Sequence, residues 1–354
     1  MAELRIAILG SGYMGRTYAE CISKFNTRAR LVAISGGRRA PGLASDYGVD
    51  YEPTYDGLLA RSDVDAVLVA TPHANHRDQV IAAAERGKHV LVEKPMATTL
   101  AGCDAMIAAC ERAGVALQVI QTLRFRGTPA RAKQLIDAGR IGAVRMIRGQ
   151  SLVRDYAIAA GAWPALPEHG GAFLDMGVHN FDIMRFWSGS EARRVFAHIT
   201  TYGDSGYPWL SAMVQIVFAN GVVAQQWTSH EIPAQSLTDS QHRYIVVGET
   251  GALEIDGYGK LLLSTPESTE LIWEQPQFDF VNRPLDPARL EAFYTQTQAF
   301  VDDVLDGRPP TVPGAEGRAA VEIVEAARRS SETDQAVALP TDEGRKTKDE
   351  GISE

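Results

Sequence analysis

The sequence predicts an α/β protein in two parts: a doubly wound parallel sheet, then an α+β domain with a mostly antiparallel sheet. Three observations carry this. Up to about residue 123, short apolar runs alternate with amphipathic helical stretches, each βα unit taking roughly 25–35 residues, the size of a right-handed parallel crossover. Beyond that point strand-like runs follow one another without intervening helices, the order expected of an antiparallel sheet. The chain has 354 residues, 45% hydrophobic and 22% charged, too apolar for a disordered or collagen-like chain. That length suits about two domains.

In the first part the predicted strands are residues 5–9, 30–35, 66–70, 89–93 and 116–120, with helical stretches at 79–86 and 100–113 between them. Strands that are apolar throughout belong to a sheet covered on both faces. The second part begins with a helix over 129–138 and a strand over 143–151. An irregular Gly/Pro-rich stretch follows over 156–171, then a helix over 178–187. Strands are predicted at 194–201, 211–218, 222–229, 243–247, 252–255 and 260–264, and Asn220-Gly221 between two of them is a hairpin turn signal. Helices over 287–305 and 315–331 close the chain on either side of Gly307-Arg-Pro-Pro310. Residues 341–354 carry eight charged side chains of fourteen and no aromatic, the composition of a disordered tail. The expected domains are therefore 1–123, 124–340 and the tail.

Charge and cysteine content narrow the class. With 35 Lys+Arg against 44 Asp+Glu the net charge is −9, and no basic stretch argues for nucleic acid. Acidic and basic side chains balance over 1–123, so residues 124–354 carry the whole excess. Cys21, Cys103 and Cys110 have no metal-ligand spacing and read as buried thiols in a reducing compartment. The start, Met1 to Gly10, reads as a first strand rather than a signal peptide, and no run reaches the ~18 apolar residues of a membrane span. The expectation is a cytoplasmic protein.

Gly10-Ser-Gly12-Tyr13-Met14-Gly15 follows the first strand and opens a helix. Gly10 permits a tight turn, Gly12 lets the backbone approach a pyrophosphate, and Gly15 lets helix and strand pack closely. The first part is thus a dinucleotide-binding domain. An NAD site usually places Asp or Glu about twenty residues further on, against the ribose 2′-OH. Here the second strand ends Ser35-Gly36-Gly37-Arg38-Arg39 with no carboxylate. Ser35 could bond a 2′-phosphate and Arg38 or Arg39 pair with it, so the expected cofactor is NADP rather than NAD. Thr71-Pro72-His73-Ala74-Asn75-His76 and Glu93-Lys94-Pro95 end the next two strands, where ligands bind in such sheets. His73 and His76 read as packing beside the cofactor, not as metal ligands, and no metal site is expected. Lys94, emerging from a buried strand with a proline fixing the turn, reads as a positioned lysine whose bond to Pro95 is a cis candidate.

The glycine fingerprint, the Thr71-Pro72 run, Gly87-Lys-His-Val-Leu-Val-Glu-Lys-Pro95 and Gly170-Gly171-Ala-Phe-Leu-Asp175-Met-Gly-Val-His179-Asn-Phe-Asp182 together resemble the Gfo/Idh/MocA oxidoreductases, over about residues 4–340. The resemblance implies an N-terminal Rossmann domain and an open, mostly antiparallel C-terminal sheet that serves substrate binding and dimer or tetramer contacts. It also implies that Lys94, Asp175 and His179 form the catalytic group. The chain departs from the family pattern at Ala172, where a third glycine is usual, and at Thr122, where asparagine is usual; Arg124 remains a candidate cofactor or substrate contact.

The residue chemistry agrees with that implication. Oxidising a secondary alcohol needs a base for the hydroxyl proton, and histidine suits that exchange near neutral pH. Asp175 and His179 share a face if the stretch is helical, although Asp175 could instead cap a helix over 178–187. Lys94 offers a fixed positive charge to a developing alkoxide. Arg124, Tyr156, Trp163, Asp182, Trp209, His230 and Tyr244 are candidate contacts for a sugar or polyol. The expected function is NADP-dependent hydride transfer to or from a sugar, cyclitol or related polyol. The alternatives are an NAD-dependent glycosidase working by transient oxidation and a non-catalytic cofactor-sensing regulator.

Overall fold

A strand buried on both faces needs a helix above and below it, and the chain supplies them in alternation. The computed structural model describes residues 2–152, 163–204, 206–232, 242–279 and 282–340. The first elements are β1 (Leu4–Leu9), α1 (Tyr13–Lys24), β2 (Ala29–Ser35), α2 (Ala40–Tyr47), β3 (Asp50–Glu52), α3 (Tyr55–Ala60) and β4 (Ala66–Val69). They continue with α4 (His76–Glu85), β5 (His89–Val92), α5 (Leu100–Ala113) and β6 (Leu117–Val119). The six strands pair in parallel in the order β3-β2-β1-β4-β5-β6. The strand order, not the strand direction, reverses between β1 and β4, which makes the crevice at their carboxyl ends the binding position of such sheets.

Two helices and one strand of this part were not among the expected elements. The edge strand β3 is only three residues long and half exposed, so no apolar run marks it. Helices α2 and α3 are eight and six residues, too short for a clear helical period. All three cysteines are buried free thiols.

The second part contains α6 (Gly127–Asp137), β7 (Val144–Leu152), α7 (Gly171–Ser188), β8 (Ala192–Thr200), β9 (Ser211–Phe218) and β10 (Val223–Ser229). Next come β11 (Arg243–Gly248), β12 (Ala252–Asp256), β13 (Lys260–Ser264), β14 (Thr269–Glu274), α8 (Pro287–Leu305), α9 (Gly314–Thr333) and β15 (Val337–Ala338). Nine strands form one open sheet, β14-β13-β12-β11-β7-β10-β9-β8-β15, antiparallel except for the parallel pair β7–β10. Their alternating burial, as in Arg243–Gly248, gives one face to the core and one to the outside.

Helix α7 starts at Gly171, seven residues before the expected Val178. Glycine at 170, 171 and 177 reads as a break in the sequence, yet Gly177 sits inside the helix. A Cβ there would stand 3.1 Å from Val324 Cγ2 and 3.2 Å from the Phe181 ring, so the glycine serves close packing. Asp175 is therefore an interior helical residue and not an N-cap.

The chain divides into two compact units, and the second boundary differs from the expected one. Unit one holds residues 1–126, 168–170 and 276–321, and unit two holds 127–167, 171–275 and 322–354. Residues 276–321 return to the first unit because α8 lays Leu290, Phe293, Phe300 and Val301 into the cluster of Ile6, Ile8, Tyr18 and Ile22. An amphipathic period announces a buried face but not which sheet it covers. The expected tail at 341–354 lies outside the described residues. If α8 is part of that core, Phe300→Ala should lower unfolding free energy by about 3–5 kcal/mol in urea titration. A loss under about 1 kcal/mol would contradict the assignment.

Candidate cofactor and catalytic sites

At the carboxyl end of β1 the backbone turns through Gly10 with φ +118°. A Cβ on Gly10 would lie 2.2 Å from Ala70 O, and one on Gly15 would lie 2.0 Å from Gly10 O, so both positions are closed to any side chain. Gly12 is different: a Cβ there would meet nothing within 4 Å and would fill the space in front of the turn. Helix α1 begins at the next residue, and no side chain caps it. Its first N–H groups therefore face that space, the donor set and dipole end that suit a pyrophosphate. Exposed Tyr13 and half-buried Met14 lie at its mouth.

The loop after β2 packs onto this turn. Gly36 and Gly37 have φ +80° and +83°, and Ser11 Oγ donates to Gly36 O at 2.8 Å. A Cβ on Gly37 would stand 2.7 Å from Ser11 Oγ. Arg38 and Arg39 are exposed beyond it. Ser35 is only 1% exposed. Burial to that degree leaves Ser35 little surface to offer the 2′-phosphate contact expected of it.

The ends of β4 and β5 hold the next group. Half-buried Thr71 donates through Oγ1 to Gln79 Oε1 at 2.6 Å, and Pro72 follows it. His73 is buried with Nδ1 3.1 Å from His169 O. His76 is fully buried, with Nδ1 2.9 Å from Pro95 O and Nε2 2.8 Å from Thr71 O. Its buried ring packs between these two carbonyls, with one N–H to give in the neutral form, a structural task rather than the cofactor contact expected. Burial pushes the His76 pKa down, opposed by those two carbonyls. Glu93 is buried, Lys94 is half-buried, and the Lys94-Pro95 bond is cis. Arg124 forms an ion pair with Glu316 of α9, which ties the turn after β6 to that helix.

In the second unit Asp175 and His179 lie one turn apart on α7, which puts both on one face. Asp175 is buried and His179 half-buried. The His179 ring meets that of His242 edge-on at 6.2 Å between centroids. His230, at the end of β10, is buried; desolvation lowers its pKa, opposed by the charges of Asp175 and Glu231. Its N–H donates to Leu210 O at 2.9 Å, which brings Trp209 to the same end of the sheet. The Arg328 guanidinium stacks over the Trp209 ring at 4.4 Å. Trp163 is exposed, Asp182 is fully buried, and Tyr156 lies outside the described residues.

Beneath α7 runs a polar network that sequence reading did not find. Asn180 Oδ1 accepts from Ser151 Oγ and from Tyr244 Oη, each at 2.8 Å, and Ser151 Oγ lies 3.0 Å from His242 Nδ1. Buried polar groups hold only when bonded in this way. The one sequence signal is the presence of Ser, Asn and His at positions whose neighbours in the alternating pattern are apolar. Tyr244, expected as a substrate contact, instead spends its hydroxyl on Asn180.

The fold is a dinucleotide-binding α/β unit followed by an α+β unit that carries Asp175 and His179 on one helix, the build of a nicotinamide-dependent oxidoreductase. The chain belongs to the Gfo/Idh/MocA family: residues 4–121 match its NAD-binding Rossmann domain, and residues 130–254 match its C-terminal domain. It is 30% identical to a myo-inositol 2-dehydrogenase of Thermotoga maritima, covering 95% of this chain and 98% of that one. It is also 30% identical to a scyllo-inositol 2-dehydrogenase (NAD(+)) of Bacillus subtilis, covering 95% and 96%. An aldose-aldose oxidoreductase of Caulobacter crescentus, crystallised with glycerol, superposes with a TM-score of 0.82 at 28% identity, over 95% of this chain and 100% of that one. Among the described residues no helix is long and apolar enough to cross a membrane.

A buried histidine whose folded pKa is depressed leaves the unfolded state binding more protons, so its stability is complete above about pH 6.5 and falls as pH drops below it. Urea midpoints at neutral and mildly acid pH should therefore decline less for His230→Gln than for the parent, by up to about 1.4 kcal/mol per pH unit. Equal declines would show that His230 titrates alike folded and unfolded.

Proposed function

We propose that the protein transfers a hydride between NADP(H) and a carbinol or carbonyl carbon of a sugar, cyclitol or related polyol. What carries the cofactor choice is the loop Gly36-Gly37-Arg38-Arg39: it holds no carboxylate to oppose a 2′-phosphate, and both arginines stand exposed. A Bacillus relative is named for NAD(+), and turnover with each cofactor tests the choice. The polyol class rests on the relatives named for inositols, supported by the crystallised aldose-aldose oxidoreductase.

When bound, the nicotinamide accepts or returns the hydride at its C4. The chain's own groups do the rest in this reading. His179 takes the hydroxyl proton as the alcohol is oxidised and returns it in the reverse direction. Asp175 orients the imidazole or a substrate hydroxyl, and Lys94 stabilises negative charge on the reacting oxygen. Lysine, aspartate and histidine are all retained, which favours catalysis over a sensing role.

The same reading extends to assembly, with a second copy of the chain as the partner and a homodimer or homotetramer as the product. The outward face of the nine-stranded sheet exposes Met146, Phe196, Met213, Val223, Ile245 and Val247. Strand register places Val223 and Val247 on either side of Met146, one continuous apolar strip. A strip of that kind on an open sheet marks an interface between proteins. Light scattering should show Met213→Glu shifting the parent assembly toward monomer.

A panel of inositols, aldoses and their keto forms, followed by nicotinamide absorbance with each cofactor, tests the function. His179→Ala should lower turnover by about 100-fold or more, with NADPH affinity within about threefold of the parent. Arg38→Ala should weaken NADPH by about tenfold, the order of one charge-assisted contact, and NADH hardly at all. Equal weakening of both cofactors would reject the 2′-phosphate role.

A further inference from the structure

Lys94 leaves β5 at the point where strand pairing ends: Glu93 N–H still donates to Val69 O at 2.9 Å, and the next N–H turns elsewhere. It donates to the Glu93 carboxylate, Oε2, at 3.0 Å. The other oxygen of that carboxylate, Oε1, accepts from Tyr18 Oη at 2.7 Å. Tyr18 is buried in α1, its ring edge against Phe293, and Arg289 of α8 donates to neighbouring Thr17 Oγ1 at 3.2 Å. Burial and the Glu93 charge hold the Tyr18 phenol far above its ordinary range, so it is a fixed donor. On the other side of Lys94, His76 lies between Pro95 O and Thr71 O.

A buried carboxylate is a costly way to fasten a helix to a sheet, since an apolar side chain does so without desolvating a charge. Here each oxygen has a distinct geometric task, one on α1 and one on the backbone of Lys94. The His76 ring stands between the Thr71 and Pro95 carbonyls, and as a neutral imidazole it gives its one N–H to one of them. We propose that Tyr18, Glu93 and His76 are positioning residues that fix the Lys94-Pro95 backbone from both sides and so aim the Lys94 ammonium. The proposal rests on the reading of Lys94 as catalytic only for its consequence in turnover; the backbone restraint is measurable without it.

Amide hydrogen exchange in the full-length protein reads the restraint directly. In Tyr18→Phe the Lys94 amide should exchange about tenfold faster or more, while Val90, Leu91 and Val92 stay within about twofold of the parent. Turnover should fall by about tenfold with NADPH affinity within about threefold, and Tyr18→His, which keeps a ring N–H donor, should recover part of it. Should Tyr18→Phe fail to fold, Glu93→Gln gives the same reading, since it weakens the same bonds and keeps the volume. An unchanged Lys94 amide, or one that speeds up in step with Val90–Val92, would overturn the proposal. If Lys94→Ala retained full turnover, the catalytic reading would fall while the exchange result still stood.

Discussion

Three backbones meet at the carboxyl end of β1, and the spacing they keep governs the first unit. The Gly10 carbonyl occupies the place a Gly15 side chain would take, Ala70 O occupies the place of a Gly10 side chain, and the Gly36-Gly37 loop closes over Ser11. Glycine is thus required by close approach as well as by the positive φ at Gly10 and Gly36. Because these contacts hold β1, β2 and β4 in register, the N-terminus of α1 stands open toward Gly12, and an anion can reach its N–H groups. Arg38 and Arg39 stand exposed beyond the Gly36-Gly37 loop.

A second constraint organises the elements that carry the proposed catalytic residues in each unit. Lys94 follows a buried strand and is held through its backbone, whereas Asp175 and His179 ride on a helix whose inner face is pinned by Asn180, Ser151 and Tyr244. Both arrangements place a proposed catalytic group on a regular element and fasten that element with buried, hydrogen-bonded polar groups, the condition for preorganised chemistry. The shared logic explains why buried residues such as Tyr18 and Asn180 are polar where the surrounding core is not.

Much of the fold was legible because periodicity reports burial directly. The strands buried on both faces, the glycine turn after β1, the hairpin at Asn220-Gly221 and the change of pattern after residue 123 all follow from local sequence. What escaped notice depends on partners distant in the chain. The edge strand β3 is too short and exposed to carry a pattern, Gly177 reads as a breaker until Val324 is seen against it, and α8 shows its apolar stripe without naming the sheet it covers. The site divides in the same way. Motif residues were found by spacing, but Ser35 and His76 were read as ligand contacts where burial assigns them to the scaffold, and His242 was missed because its role comes from Ser151 and Asn180.

The proposed chemistry is direct hydride transfer between cofactor and polyol. Its sharpest test is isotope transfer from C4-deuterated NADPH to the keto or aldehyde form of a substrate found in the panel, with products analysed by mass spectrometry. Deuterium on the carbinol carbon, in step with cofactor oxidation, is the predicted result. Glycoside cleavage with no net cofactor oxidation, or product without the label, would contradict it.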